Sequence, residues 1–213
     1  QLQSYIAAKD VVRDLLDGYI IMDALSHYEF YESGALETPI PANTAIEPFI
    51  ANNVPNLWVY YCCGQHKDVS NRFFAMPLDR TRAIGYQFYK YNIVGFLQWG
   101  FNFYFNQGSV YPINPYEISD GDYFTPAGDC YSVYPGENGE ALDSIRICAF
   151  YDALQDQRAM QLAETLVGRE AVMNAIEGDL PEDQKITFSR YPHGIAWMHE
   201  TRAKINALIK SAL

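Results

Sequence analysis

The sequence predicts an α/β protein in which about four parallel strands alternate with helices. Segments with helical spacing of apolar residues alternate with short apolar runs of strand length. The clearest runs are apolar on both faces, as strands must be when helices cover a parallel sheet on each side. The connections between them are short enough for parallel crossovers.

Taken in order, residues 2–17 place Ile6, Val11, Val12, Leu15 and Leu16 on one side of a helix, and Gly18 follows where a capping glycine belongs. "YIIMDAL" (19–25) is a strand, and "HYEFYESG" is a brief helical turn closed by Gly34. "TPIPA" (38–42) is a strand weakened by two prolines. "NTAIEPFIANN" is a short helix with Asn43 or Thr44 as its cap. "NLWVYYCCG" (56–64) is a second clear strand, and its loop leads to Pro77, which starts the helix "LDRTRAIGYQFYKY". "NIVGFLQWG" is the third clear strand. From Phe101 to Asp143 the chain is rich in Gly, Pro, Asn and Tyr and lacks periodicity. A loop that long inside a compact domain is usually functional. Two amphipathic helices follow, "SIRICAFYDALQDQRAMQLAETLVG" and "YPHGIAWMHETRAKINALIKSAL". The first carries a stripe of Ile147, Phe150 and Leu154, with Asp143 or Ser144 as cap.

Four strands with helices are half of a closed (β/α)8 barrel, which takes about 250 residues. Half a barrel leaves two strand edges unpaired, which natural proteins avoid. Either those edges pair with a missing half of the barrel, the favoured reading, or with a second copy of the chain, or the sheet is a smaller open one.

The 213 residues include 17 Tyr, 12 Phe and 3 Trp, a composition opposed to disorder, and carry a formal net charge of −11. That charge disfavours nucleic acid and anionic membranes as partners. No apolar run reaches the roughly 20 residues of a membrane span, and the first residues do not form a signal peptide. Cys62, Cys63, Cys130 and Cys148 make no CxxC motif, and the four His make no paired-ligand pattern. Small buried thiols are the expectation, with no metal and no cofactor.

In parallel α/β folds the site lies at the carboxyl ends of the strands. Those ends hold Asp23 and Ser26, then Asn43, then Tyr60 to Gly64, then Trp99 to Tyr104. The stretch "GFLQWGFNFY" (95–104) sets Gln98 and Asn102 among five aromatic rings. Flat rings that stack on the C–H face of a sugar, beside amides that pair with its hydroxyls, make a carbohydrate site. Each residue has a plainer alternative. Trp99 could fill the core beneath the long loop, and Asp23 could cap the turn that follows it. Only one of Tyr60 and Tyr61 can face a site. Arg72 and Arg82 are expected to be structural ion-pair partners.

The blocks "DALSHYEFYESG", "WVYYCCGQ", "NRFFAMPLDRTRAIGYQFYKYNIVGFLQWGFNFY" and "YPGENGEALDSIRICAFYDALQDQRAM" resemble, in order and spacing, the C-terminal half of glycoside hydrolase family 123. The resemblance covers residues 1–168 and weakens beyond. It implies two regions: residues 1–168 as the C-terminal half of a (β/α)8 barrel, and 169–213 as a helical extension packed on it. It also implies β-N-acetylgalactosaminidase chemistry assisted by the 2-acetamido group of the substrate, with a Glu as acid and base beside an orienting Asp. No Asp-Glu dipeptide occurs in the chain, and the reversed Glu182-Asp183 sits late in it. The resemblance places the catalytic pair upstream of Gln1 and leaves no catalytic residue here. It makes Trp99 a wall of the sugar pocket and Asn102, Asp23 and Tyr60 its hydrogen-bonding groups. A non-catalytic carbohydrate-binding or scaffold domain of the same fold is the alternative, again with an amino-sugar or glycan as ligand.

Overall fold

The computed structural model describes residues 1–213. They form two compact units, Gln1–Tyr60 with Asn92–Leu97, and Tyr61–Tyr91 with Gln98–Leu213.

The first unit holds the helices α1 (Leu2–Val11), α2 (Glu29–Glu32) and α3 (Glu47–Ala51). Its strands are β1 (Met22–Asp23), β2 (Thr38–Pro39), β3 (Trp58–Tyr60) and β4 (Gly95–Leu97). β1 pairs with β2 and β3 with β4, both in parallel. A parallel bridge from Ala42 to Tyr60 joins the segment after β2 to β3, with Asn43 N–H donating to the Tyr60 carbonyl at 2.9 Å. The four strands therefore follow chain order side by side. Where Trp58 lies opposite Gly95, the indole occupies the space a Cβ would need, since one built there would come within 2.1 Å of the ring. Ile46, Phe49, Leu57 and Val59 are buried at the centre of this unit.

Two expectations change here. Strands of about five to nine residues were expected, but each spans only two or three, arranged in two-stranded sheets. Prolines 39 and 41 withhold ladder donors from the second strand. Beyond Tyr60 the backbone bonds to side chains: Cys62 N–H donates to Gln65 Oε1 at 2.9 Å, and Asn71 Nδ2 donates to the Cys62 carbonyl at 2.9 Å. Cys62 and Cys63 thus lie in a turn, not on a strand. The first helix also ends at Val11, followed by a 3-10 turn at Arg13–Leu15, and none of its residues is fully buried. Its inner side is Leu2, Tyr5, Ile6 and Lys9, with Tyr5 set edge-on to Phe30 at 5.3 Å and Lys9 Nζ donating to the Ala35 carbonyl at 3.0 Å. Val11, Val12 and Leu15 are exposed.

The second unit is built on helices α4 (Leu78–Arg82), α5 (Ile84–Lys90), α6 (Ile145–Val167), α7 (Arg169–Glu177) and α8 (Ile195–Ala212). An antiparallel hairpin, β5 (Val133–Pro135) with β6 (Ala141–Asp143), interrupts the loop expected to be irregular. Ser144 caps α6, its side chain accepting from Ile147 N–H at 3.3 Å. The predicted stripe of Ile147, Phe150 and Leu154 is only half-buried. The buried line is Arg146, Ala149, Ala153, Asp156, Met160 and Ala163. Small residues prevail because α5 passes very close: a Cβ on Gly85 would lie 2.1 Å from the Ala153 carbonyl oxygen. Tyr86, Met160, Val172, Ile186, Met198 and Ile205 form the core shared by α5 to α8. Asp156, buried among them, accepts from Arg82 Nε at 2.7 Å and Nη2 at 3.1 Å, and from Arg202 Nη1 at 2.7 Å. Arg82 is thus a structural ion-pair partner.

Candidate functional site

Gly100 lets two segments of the second unit meet. A Cβ there would come within 2.8 Å of the carbonyl oxygens of Asp129 and Cys130, so only glycine allows residues 99–103 to lie along residues 129–132. The contact is closed by Phe103 N–H to the Cys130 carbonyl at 3.0 Å, by Ser132 N–H to the Phe101 carbonyl at 2.7 Å, and by a bridge between Asn102 and Tyr131. This register brings the Asp129 side chain against Trp99, whose Nε1–H donates to Asp129 Oδ2 at 3.2 Å. Phe103 and Phe124 flank the indole at 5.6 and 5.9 Å between centroids.

Arg72 reaches the same carboxylate from another direction. Its Nη2 donates to the Asp129 carbonyl at 2.5 Å and stands 3.5 Å from Oδ1. The guanidinium lies over the Tyr61 ring at 5.3 Å. Its backbone is held by the neighbouring Asn71, whose Oδ1 accepts from Arg72 N–H at 2.7 Å and whose carbonyl accepts from Thr81 Oγ1 at 2.8 Å. Arg146, from the first turn of α6, donates from Nη1 to the Gly128 carbonyl and sits over the Phe74 ring at 4.7 Å. Asp129, Arg72 and Arg146 are 0%, 3% and 4% exposed, so the buried carboxylate has one buried cation beside it and a second, paired with the Gly128 carbonyl, within electrostatic reach. Arg72 Nε and Nη1, Asp129 Oδ1 and Arg146 Nη2 find no hydrogen-bond partner of ordinary geometry. Buried polar atoms in native proteins are normally paired with protein groups or ordered water.

Burial raises the Asp129 carboxyl above the usual carboxylate range, against the opposing pull of Arg72 and of the Trp99 N–H. Burial likewise lowers Arg146, with Tyr134 the main group favouring its charge. The Cys63 thiol is pushed up to about 11, first by desolvation and then by Cys62 and Asp129. Chemically the arrangement fixes a half-buried indole in one orientation by a charge-assisted hydrogen bond. Asp129 is sealed from solvent and so holds the ring without exchanging protons with it.

The residues expected at a sugar site fall as follows. Trp99 is half-buried and Asn102 exposed, both in the second unit. Tyr60 is half-buried and Asp23 exposed, both in the first unit, where Asp23 Oδ1 accepts from Ala24 N–H at 2.8 Å. Tyr61 is the buried member of its pair. The cysteines depart from expectation: Cys63 and Cys148 are exposed and only Cys130 is fully buried, all four being free. Asp129 and Arg146 were not legible beforehand. Asp129 is one acidic residue in an aperiodic loop, and its partners lie 30 and 57 residues away.

Residues 1–163 match the family described as glycoside hydrolase 123, catalytic domain. Eleven chains of solved structures match as well. One is a family 123 glycoside hydrolase from Clostridium perfringens, solved for the details of glycolipid glycan hydrolysis. It aligns with a TM-score of 0.63 at 14% identity, over 91% of this chain and 36% of its own. At that identity the likeness speaks for the fold alone, and this chain spans about a third of that neighbour. No curated protein matches. With the family model covering 163 of its 213 residues, the chain belongs to glycoside hydrolase family 123.

Proposed function

We propose that this chain forms part of a retaining exo-glycosidase that removes terminal β-linked N-acetylgalactosamine by substrate-assisted catalysis. In this reading the strands β1 to β4 are the C-terminal half of a (β/α)8 barrel, supported by their parallel pairing in chain order. The catalytic Asp–Glu pair comes from residues preceding Gln1, and the chain alone is inactive. The partner that completes the barrel is the N-terminal half or a second copy of the chain. The exposed Val11, Leu15, Tyr19 and Ile20 near the β1 edge favour such a cover.

The observation that carries the proposal is the Trp99 indole held by a buried carboxylate. A fixed ring gives a sugar a stacking wall at little entropic cost. Trp99 walls the pocket, and Asn102 of the same unit supplies hydrogen bonds to hydroxyl and acetamido groups. The Clostridium perfringens neighbour is described as hydrolysing glycolipid glycans. A glycan of that class is the proposed substrate.

The test is an assay of the protein with its preceding residues on chromogenic β-N-acetylgalactosaminide, β-N-acetylglucosaminide and β-galactoside. Cleavage of the first, with the β-anomer as initial product by NMR, is expected. Trp99→Ala should raise KM about tenfold, the loss of one aromatic contact. Cleavage of the plain galactoside at an equal rate, or an α-anomer as first product, would defeat the assignment.

A further inference from the structure

A groove of about 480 Å³ opens in the second unit between residues 115–119 and the β5–β6 hairpin, and includes none of Trp99, Asp129 or Arg72. Its size falls within the range of small-molecule clefts. Phe74, Tyr116 and Tyr134 supply its rings, and Glu117, Ser119 and Asp143 its polar groups. Phe74 is 49% exposed and Tyr116 59%.

These rings are held in place. Tyr116 Oη–H donates to the Pro135 carbonyl at 2.9 Å, which ties the 115–119 segment to the hairpin, and the Tyr116 and Tyr134 rings stand 5.2 Å apart. Phe74 N–H donates to the Ala127 carbonyl at 2.9 Å, while the Arg146 guanidinium backs its ring. The ring also fills the space beside Gly128, where a Cβ would come within 2.6 Å of it. Backbone hydrogen bonds and a glycine thus fix an aromatic surface that is nevertheless left open to solvent. Preorganised rings of this kind suit a ligand with flat apolar faces.

The polar groups narrow the class. Carboxylates are pure acceptors and can each take two hydroxyl donors, while the Ser119 hydroxyl both donates and accepts. No Lys, Arg or His lines the groove, and the chain carries a net charge of −11, so anions are repelled. Apolar faces combined with many hydroxyl donors and no negative charge describe a neutral sugar ring.

We infer that this groove is a second saccharide-binding site, holding a neutral part of the glycan away from the bond that is cleaved. The inference rests on the glycosidase reading above. It predicts that glycan binding has two components, of which only one involves Trp99.

The test is calorimetric titration of the protein with a neutral N-acetylgalactosamine-terminated tetrasaccharide, with choline as the cationic probe. Wild type should show two binding events. Tyr116→Ala should weaken one about tenfold and leave the Trp99-dependent one in place, while Tyr116→Phe keeps both within about threefold. Trp99→Ala should do the reverse. If Tyr116→Ala fails to fold, Glu117→Gln replaces it, with several-fold weaker binding expected at the same event. A single event, abolished by Trp99→Ala and indifferent to the groove variants, overturns the second site while the glycosidase reading stands. Choline binding that Glu117→Gln abolishes, with no glycan event at the groove, overturns the saccharide class. Neither hydrolysis nor glycan binding by wild type defeats both readings together.

Discussion

Replacing Trp99 with Phe separates the hydrogen bond at the candidate site from its packing. Phenylalanine can keep the contacts with Phe103 and Phe124 but has no N–H for Asp129 Oδ2, now 3.2 Å away. A hydrogen bond to a charged acceptor contributes about 1.5–3 kcal/mol. The smaller ring adds a loss of about 1 kcal/mol in buried surface, which does not depend on pH. At neutral pH the deficit is therefore about 3 kcal/mol, or roughly 6–12 °C in Tm for a chain of this size. Its pH dependence has a definite sign. Burial raises the Asp129 carboxyl, so the ionised form opposes folding at neutral pH, and acidification relieves this as the native state takes up a proton. The Trp99 N–H favours the ionised form, and Trp99→Phe raises Asp129 further. Below the folded-state value the acceptor is neutral in both proteins, and the bond is worth about half as much. The difference in stability between wild type and variant should shrink as pH falls through that value, which lies above the ordinary 3.9 or so of an aspartate. Urea denaturation of both proteins, at pH 7 and in steps down toward about 4, measures it. A deficit that stays constant across this range, or one below about 0.5 kcal/mol at pH 7, would refute the role given to the Trp99–Asp129 bond.

Asp156→Ala should destabilise the protein by about 3–4 kcal/mol by chemical denaturation. It strands the mostly buried Arg82, while the more exposed Arg202 can rehydrate. A loss under about 1 kcal/mol would show that water replaces the carboxylate. Cys63 is exposed, yet with its thiol near 11 it should react with iodoacetamide at pH 8 about 100-fold more slowly than a free cysteine peptide. Mass-resolved alkylation rates decide this, and a rate within tenfold of the peptide's would remove the influence of Cys62 and Asp129.

The sequence by itself determined the kinds of element and their order as far as β4. Apolar spacing marks α6 and α8, Pro77 marks the start of α4, and the positive φ of Gly34 falls where a capping glycine was expected, whereas Gly18 lies six residues beyond the C-cap of α1. These signals are local, because periodicity, proline geometry and glycine freedom act within a few residues. The aromatic stretch 95–104 raised the expectation of a ligand wall, since rings beside amides suit the faces and hydroxyls of a sugar.

Tertiary structure decided how far each strand extends and which residues of α6 are buried. Gln65 and Asn71 capture the backbone at Cys62 and end the second clear strand early. Gly85 draws α5 so near that Ala149 and Ala153, rather than Ile147 and Phe150, face inward. The partnership of Trp99 with Asp129 and Arg72 also belongs to the fold. It needs the backbone approach that Gly100 permits, between segments some 30 residues apart. No local pattern encodes such a meeting, because the attraction that offsets the cost of desolvating these charges exists only once the chain has closed around them.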